Sequence, residues 1–292
     1  MYSVGIDIGG TFTDLLLIAE DGRAVIGKTL TTPGDPSLAV ETALRPALAD
    51  GSTQLAAGER GTLVHGTTLV TNAIIERKGA PTALLTTEGF RDAVEIGREH
   101  RYELYDLNLD FPKPLVPRYL RFDVPERMAA DGSELKPLDE AFVRRLVAEL
   151  SAKGIAAVAV CYLNSFRNPA HERRTAEIAA EVAPHIRISL SSEVVAEIRE
   201  YQRASTTVAN VYVQERVANY LVELHRRLER LAFNGSFFVM LSSGGIATAE
   251  TAAKFPVRLL ESGPAAGALA AAHLGARAGF PDLLSFDMGG TT

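Results

Sequence analysis

The sequence predicts an α/β protein built on a mixed sheet, and three observations carry that prediction. Strand-like runs joined by tight turns open the chain, apolar strands and amphipathic helices alternate after them, and one Asp-x-Gly-Gly-Thr turn occurs near each end. Residues 2–8, 11–19 and 24–31 read as strands. Gly9-Gly10 makes the first turn and Asp21-Gly22 the second, because Asp-Gly supplies the positive φ that a two-residue hairpin needs. Asp35 as N-cap and Pro36 as first helical residue start a helix to about Leu48, which Pro46 should kink or end. A strand at 61–65, a helix at 67–78 closed by Gly79, a strand at 81–86 and a short helix at 90–96 follow. Residues 97–136 are rich in charge, Tyr and Pro and read as an inserted substructure or long ordered loop.

Regularity returns with a helix from Asp139 to Leu150, whose Phe142, Leu146 and Leu150 share one face. Gly154 closes it, 155–163 is a buried strand, Asn168-Pro169 starts a helix to about Val182, and 186–190 is another strand. These strands either extend the first sheet or form their own layer. A long helix covers 198–232, and strands are expected at 237–241 and 283–286. Between those strands, 250–255 is a short helix and Gly263-Pro264-Ala265-Ala266-Gly267 opens an Ala-rich helix to Leu274.

Three antiparallel strands followed by right-handed crossovers make a ribonuclease-H-like lobe, the unit that actin, sugar kinases and Hsp70 use in pairs around a nucleotide. The two turns are Asp7-Ile8-Gly9-Gly10-Thr11-Phe12-Thr13-Asp14 and Asp287-Met288-Gly289-Gly290-Thr291-Thr292, each after a short apolar run. Glycines allow consecutive backbone N–H groups to approach one anion, the Thr hydroxyl adds a donor, and the Asp can hold Mg²⁺ directly or through water. Two copies imply two related lobes facing one nucleotide, with most of the second lobe lying beyond this sequence. The expected division is 1–196, a ribonuclease-H-like domain with an insertion at about 97–136, and 197–292, a long helix and the beginning of a second lobe.

Composition narrows the class. The chain has 292 residues, 47% hydrophobic and 23% charged, as in ordinary globular proteins. A net charge of -6 argues against nucleic acid as a partner, and the basic run around Arg226-Arg227 is interspersed with Glu223 and Glu229 as a solvated helix face would be. The single cysteine, Cys161, sits in an apolar run and reads as a buried small hydrophobe. No apolar run approaches the ~18 residues of a membrane span, and a cytoplasmic location is expected. There is no P-loop, no Gly-x-Gly-x-x-Gly, no His or Cys spacing for zinc, and no Gly-x-Ser-x-Gly.

Longer motifs carry a resemblance. His65-Gly66-Thr67-Thr68 with Asn72, Thr86-Thr87-Glu88-Gly89-Phe90-Arg91-Asp92 with Arg98, Leu104-Tyr105-Asp106-Leu107, Ser191-Ser192-Glu193-Val194, and Ser262-Gly263-Pro264-Ala265-Ala266-Gly267 join the two Gly-Gly-Thr turns. With these the chain resembles the hydantoinase A / 5-oxoprolinase family, over the N-terminal portion of its longer members. Ser242-Ser243-Gly244-Gly245 departs from the family's Ser-Asn-Gly-Gly.

The resemblance implies ATP- and Mg²⁺-dependent opening of a cyclic amide such as a hydantoin or 5-oxoproline, by phosphorylation of the carbonyl oxygen. An ATP-dependent ketone carboxylase subunit is the alternative, and a nucleotide-binding remnant without turnover is another. An actin-like or chaperone-like ATPase would share the lobes but not the motifs from His65 to Asp106. A hydantoinase B-type partner subunit and an oligomeric state are further expectations. The expected catalytic residues are Asp7, Asp287, His65 and Thr67, with Asp7 and Asp287 at the metal. Gly9, Gly10, Thr11, Thr13, Gly289, Gly290 and Thr291 would cradle phosphate. Thr68, Asn72, Arg91, Asp92 and Arg98, with Arg101, would face the substrate. Gly263 and Gly267 would allow close helix packing.

Overall fold

The computed structural model describes residues 1–32, 34–49, 60–100 and 102–288. The chain divides into two compact units, Met1–Glu76 with the segment from Arg216 onward, and Arg77–Glu215.

The first unit is a mixed sheet. Strands β1 (Tyr2–Ile8), β2 (Phe12–Ala19) and β3 (Ala24–Leu30) form the expected antiparallel meander, and β4 (Gly61–Thr67) adds parallel to β1. Helix α1 (Pro36–Ala49) continues past Pro46, so the proline does not end it. Pro46 lies on its exposed side, while Ala39, Val40, Ala43, Leu44 and Ala47 are buried and hold the helix in place. Helix α2 (Leu69–Ile75) follows β4.

The second unit is a separate layer, which resolves the alternative left open for the strands at 155–190. Strands β5 (Thr82–Thr87), β6 (Arg121–Val124), β9 (Ala157–Cys161) and β10 (Arg187–Leu190) pair only in parallel, in the order β10-β9-β5-β6. Helix α3 (Ala93–Ile96) is the short helix expected at 90–96, whereas β6 and the hairpin of β7 (Arg127–Met128) and β8 (Glu134–Lys136) fall in the stretch read as an inserted substructure or long loop, which therefore contributes a strand to this sheet. The sheet is buried on both faces, as parallel sheets are. Val158 and Val160 of β9 pack with helices α4 (Glu140–Ala152) and α5 (Ala170–Val182), while the alternating Ala157, Ala159 and Cys161 pack under Ala204, Val208 and Val211. Asp139 caps α4 by accepting from the Phe142 N–H at 2.9 Å, as its sequence position indicates. A short helix α6 (Ser191–Val194) precedes the long helix α7 (Glu200–Arg230).

From Arg216 the chain belongs to the first unit again. Strand β11 (Gly235–Met240) lies parallel to β4, and β12 (Ile246–Thr248) pairs antiparallel with β11, giving the order β12-β11-β4-β1-β2-β3. The parallel strand beyond β4 is thus β11, and not the strand at 82–87 that follows β4 in sequence. The fit at this joint is tight. A side chain on Gly235 would fall 2.0 Å from the Gly61 carbonyl oxygen. Arg227, near the end of α7, bonds Ser37 at 2.8 Å and Glu41 at 2.6 Å, fastening the helix to α1. Helices α8 (Ala249–Lys254) and α9 (Ser262–Arg277) close the described chain. The strand expected at 283–286 is not formed; no described strand pairs with it, and Leu284 and Phe286 are exposed.

Candidate functional site

The period of two along a strand decides which motif residues reach the first unit's open face. In register, Ile6 stands beside His65, Asp7 beside Gly66 and Ile8 beside Thr67. Ile6 and Ile8 are buried, so His65 and Thr67 turn into the core with them. Asp7 and Gly66 turn the other way, into a cleft of about 1030 Å³. The β1–β2 pairing sets Asp7 directly across from Asp14 on that same side.

The cleft is lined by the first turn (Gly9, Gly10, Thr11), Asp7, Asp14, Gly66, Thr68, the N-terminal part of α9 from Gly263 to Ala270, and Asp287 with Met288. Two backbones approach Asp7 closely. A Cβ on residue 66 would sit 2.7 Å from Asp7 Oδ1, and one on residue 263 would sit 3.9 Å from it. Gly66 therefore lets the carboxylate keep this position, from which any Cβ at residue 66 would displace it. Ser262 helps place α9 by donating to the Thr67 carbonyl at 3.3 Å.

The charges do not balance evenly. Lys28, opposite Asp14 on β3, bonds it at 2.7 Å, whereas no described group donates to Asp7. Partial burial in the cleft, and then the charges of Asp14 and Asp287, hold the Asp7 carboxyl above its usual range. A cation or a donor-rich ligand at Asp7 would relieve that strain. Among the described residues, no group of three or more His, Cys, Asp or Glu side chains could hold a metal ion alone. Asp7 and Asp287 could serve a Mg²⁺ that takes its other ligands from water and phosphate, the usual arrangement for that ion.

The remaining expected residues are distributed as follows. His65 is fully buried, its Nε2 is 2.7 Å from the Tyr220 hydroxyl, and burial lowers its pKa to about 4. It is a neutral core residue. The Thr67 hydroxyl accepts from the Leu69 N–H at 3.1 Å, at the start of α2, and the buried Thr13 hydroxyl lies 3.0 Å from that of Thr31. Thr68 does reach the cleft; its hydroxyl donates to the Ile8 carbonyl at 3.3 Å and accepts from Asn72 at 3.2 Å. Gly267 lines the cleft with open space beside it. Gly289, Gly290, Thr291 and Arg101 lie outside the described residues.

Arg91, Asp92 and Arg98 belong to the second unit. Arg91 lies 3.4 Å from Asp123, and Arg118 grips Asp92 through two bonds of 2.8 Å. Arg98 lines a different pocket, also in the second unit. Sequence reasoning missed Lys28 and passed over Gly66 in favour of its neighbours. Counting register from a two-residue Asp21-Gly22 turn would place Thr29 opposite Asp14; the turn instead spans residues 20–22, with the Ala19 N–H bonded to the Arg23 carbonyl, and this shift of one residue brings Lys28 there, whereas strand parity would have found Gly66.

The fold and cleft define a class, a ribonuclease-H-like lobe of the actin-like ATPase type with an inserted parallel-sheet unit. The chain belongs to the hydantoinase/oxoprolinase family: its residues 3–183 match the hydantoinase/oxoprolinase N-terminal region, and 203–292 match the hydantoinase/oxoprolinase domain. It is 40% identical to an uncharacterized protein of Methanocaldococcus jannaschii, over 100% of this chain and 42% of that protein. It is 33% identical to caprolactamase subunit alpha of Pseudomonas jessenii, again over 100% of this chain and 42% of the relative. The crystal structure of the ATP-dependent caprolactamase from Pseudomonas jessenii superimposes with a TM-score of 0.85 at 32% identity, covering 95% of this chain and 41% of that one. Nucleotide-free acetone carboxylase gives a TM-score of 0.85 at 28% identity, with the same coverage of 95% and 41%. The chain spans 42% of the length of the sequence relatives named here. No helix of the described residues is long and apolar enough to cross a membrane.

Proposed function

We propose that this chain is the nucleotide-binding part of an ATP-dependent enzyme that opens a cyclic amide. The observation that carries the reading is the Asp7–Gly66 pair, a carboxylate left without a described donor and facing a glycine whose added Cβ would fall 2.7 Å from its oxygen. Backbone N–H groups at Gly9 to Thr11 and at the head of α9 would take phosphate oxygens, and Asp7 with Asp287 would hold Mg²⁺ against them. Bound ATP supplies a phosphoryl group that turns an amide oxygen into part of a leaving group, so that water can add at the carbon. The protein's share is positioning and charge neutralisation, the main work in phosphoryl transfer. Lys28 neutralises Asp14, which leaves Asp7 and Asp287 as the cleft carboxylates available to a cation. His65, buried and neutral, would support β4 without touching substrate.

The same lobe would serve a carboxylase that phosphorylates a ketone enolate, and the equal TM-score to acetone carboxylase favours keeping that second reading. The relatives' names, caprolactamase subunit alpha among them, support a partner subunit for this chain as well. ADP release should be measured with hydantoin, 5-oxoproline and acetone, with and without bicarbonate, on a chain carried to the length of its relatives. Release stimulated by a cyclic amide without bicarbonate is the expected result. Stimulation by acetone only with bicarbonate would transfer the assignment to the carboxylase reading, and no stimulation by any of them would remove both.

A further inference from the structure

The second unit has its own pocket of about 470 Å³. Arg98 and His100 enter it from the segment after α3, and Arg199, Glu200, Tyr201 and Gln202 from the head of α7. That volume suits a small molecule and not a protein segment.

Two features fix the Arg98 guanidinium. Gly97 has φ 61° and ψ −128°, a conformation other residues avoid, which sets the backbone just before Arg98. With its amide oriented so that oxygen faces the guanidinium, Gln202 accepts from Arg98 Nε at 2.8 Å and from Nη2 at 3.0 Å. Arg98 Nη1 is left for a ligand. Arg199 brings a second guanidinium, one turn before the buried Arg203.

The charge count selects the ligand. Asp92 also borders the pocket, but Arg118 holds it through two bonds of 2.8 Å. Glu200 offsets one of the two remaining guanidinium groups. A single positive charge is left over. A dianion such as phosphate would be under-neutralised beside Glu200. One carboxylate would be matched in charge, and guanidinium N–H groups suit its oxygens.

We infer that this pocket binds the carboxylate of a small organic acid through Arg98 and Arg199. Resting on the cyclic-amide reading above, the ring it admits is one that bears a carboxylate, in preference to a neutral lactam.

Calorimetric titration of the chain with 5-oxoproline, with 2-pyrrolidinone (the same ring without the carboxylate), with propionate and with inorganic phosphate tests this. A charged hydrogen bond lost at either guanidinium predicts that Arg98→Gln and Arg199→Gln each weaken 5-oxoproline by about tenfold or more, with 2-pyrrolidinone weaker still in the native chain. Arg118→Gln, which frees the Asp92 charge beside the pocket, should weaken it too while leaving Arg98 and Arg199 in place. Far-UV circular dichroism of each variant should match the native chain. Propionate binding as tightly as 5-oxoproline, with the same dependence on both arginines, would support the anion pocket and remove the ring from the assignment. Equal affinity for the two rings, affinity indifferent to all three substitutions, tighter binding of phosphate, or no binding at all would overturn the inference.

Discussion

Two acidic residues of this chain live by opposite rules. Glu172, in the second unit, is fully buried and wholly served: Tyr162 N–H, Ser165 and Ser191 hydroxyls and Ser192 N–H donate to it at 3.0, 2.8, 2.5 and 2.9 Å. Arg203 stands 3.6 Å away, equally buried. Asp7, in the first unit, faces a cleft with two other carboxylates and no described donor. A charge built to hold a fold is surrounded by donors from several elements. A charge left short of donors, with glycine cleared from in front of it, suits something that arrives. The first kind costs stability when removed; the second costs binding.

Removing the acid should expose that difference first. Glu172→Ala leaves Arg203 buried without its partner and the four donors without an acceptor. It should lower the unfolding free energy by about 3–5 kcal/mol in urea titration. Asp7→Asn should keep stability within about 1 kcal/mol of the native chain, since a cleft-facing carboxylate held above its usual range gains little from ionisation. A large loss at Asp7 and a small one at Glu172 would reverse the roles given to them.

His65 marks the boundary between core and cleft in the first unit. Its pKa is lowered by burial to about 4, so the folded state refuses a proton that the unfolded state accepts below about 6.5. Stability should therefore fall as pH drops from about 6.5 to about 4, by about 3 kcal/mol in all from this residue. His65→Leu should flatten that part of the pH–stability curve, even though it also loses the bond to Tyr220. An unchanged slope would mean the imidazole is not held neutral.

Smaller effects are expected on the cleft side of the same strand. Gly66→Ala adds a methyl group against Asp7 Oδ1 and should cost about 1–3 kcal/mol of stability through overpacking. Asp14→Asn removes one of the like charges that raise the Asp7 pKa, so the Asp7 carboxyl titration, followed by NMR, should move down toward the ordinary range. Were it to stay, the Asp14 charge would have no part in the shift, which burial and Asp287 would then set.

Local signals in the sequence sufficed where structure is local. The meander strands, the Asp139 cap, the long helix and the first Gly-Gly-Thr turn stand where local signals placed them, although the second hairpin closes one residue out of the expected register. What escaped was non-local. Nothing near residues 235–240 indicates that β11 pairs with β4, because the intervening unit returns the chain to the first sheet only in three dimensions. The segment 97–136 looked irregular because β6 has four residues, too few to establish a period. Pro46 was overweighted, since its missing N–H falls on the exposed side of a helix fixed by its buried face. In His65-Gly66-Thr67, chemical character drew attention to the two side chains that parity sends inward. The residue with no side chain is the one at the cleft.

The central claim is that the cleft around Asp7 receives the phosphates of a nucleotide. Titrating the isotopically labelled chain with Mg·ATP to millimolar concentration, with amide shifts recorded by NMR, tests it even if affinity is low. The account predicts progressive shifts at Gly9, Gly10, Gly66 and Gly263, abolished in Gly10→Asp, which blocks backbone approach and adds like charge. Shifts confined to other residues, or unchanged shifts in Gly10→Asp, would contradict it.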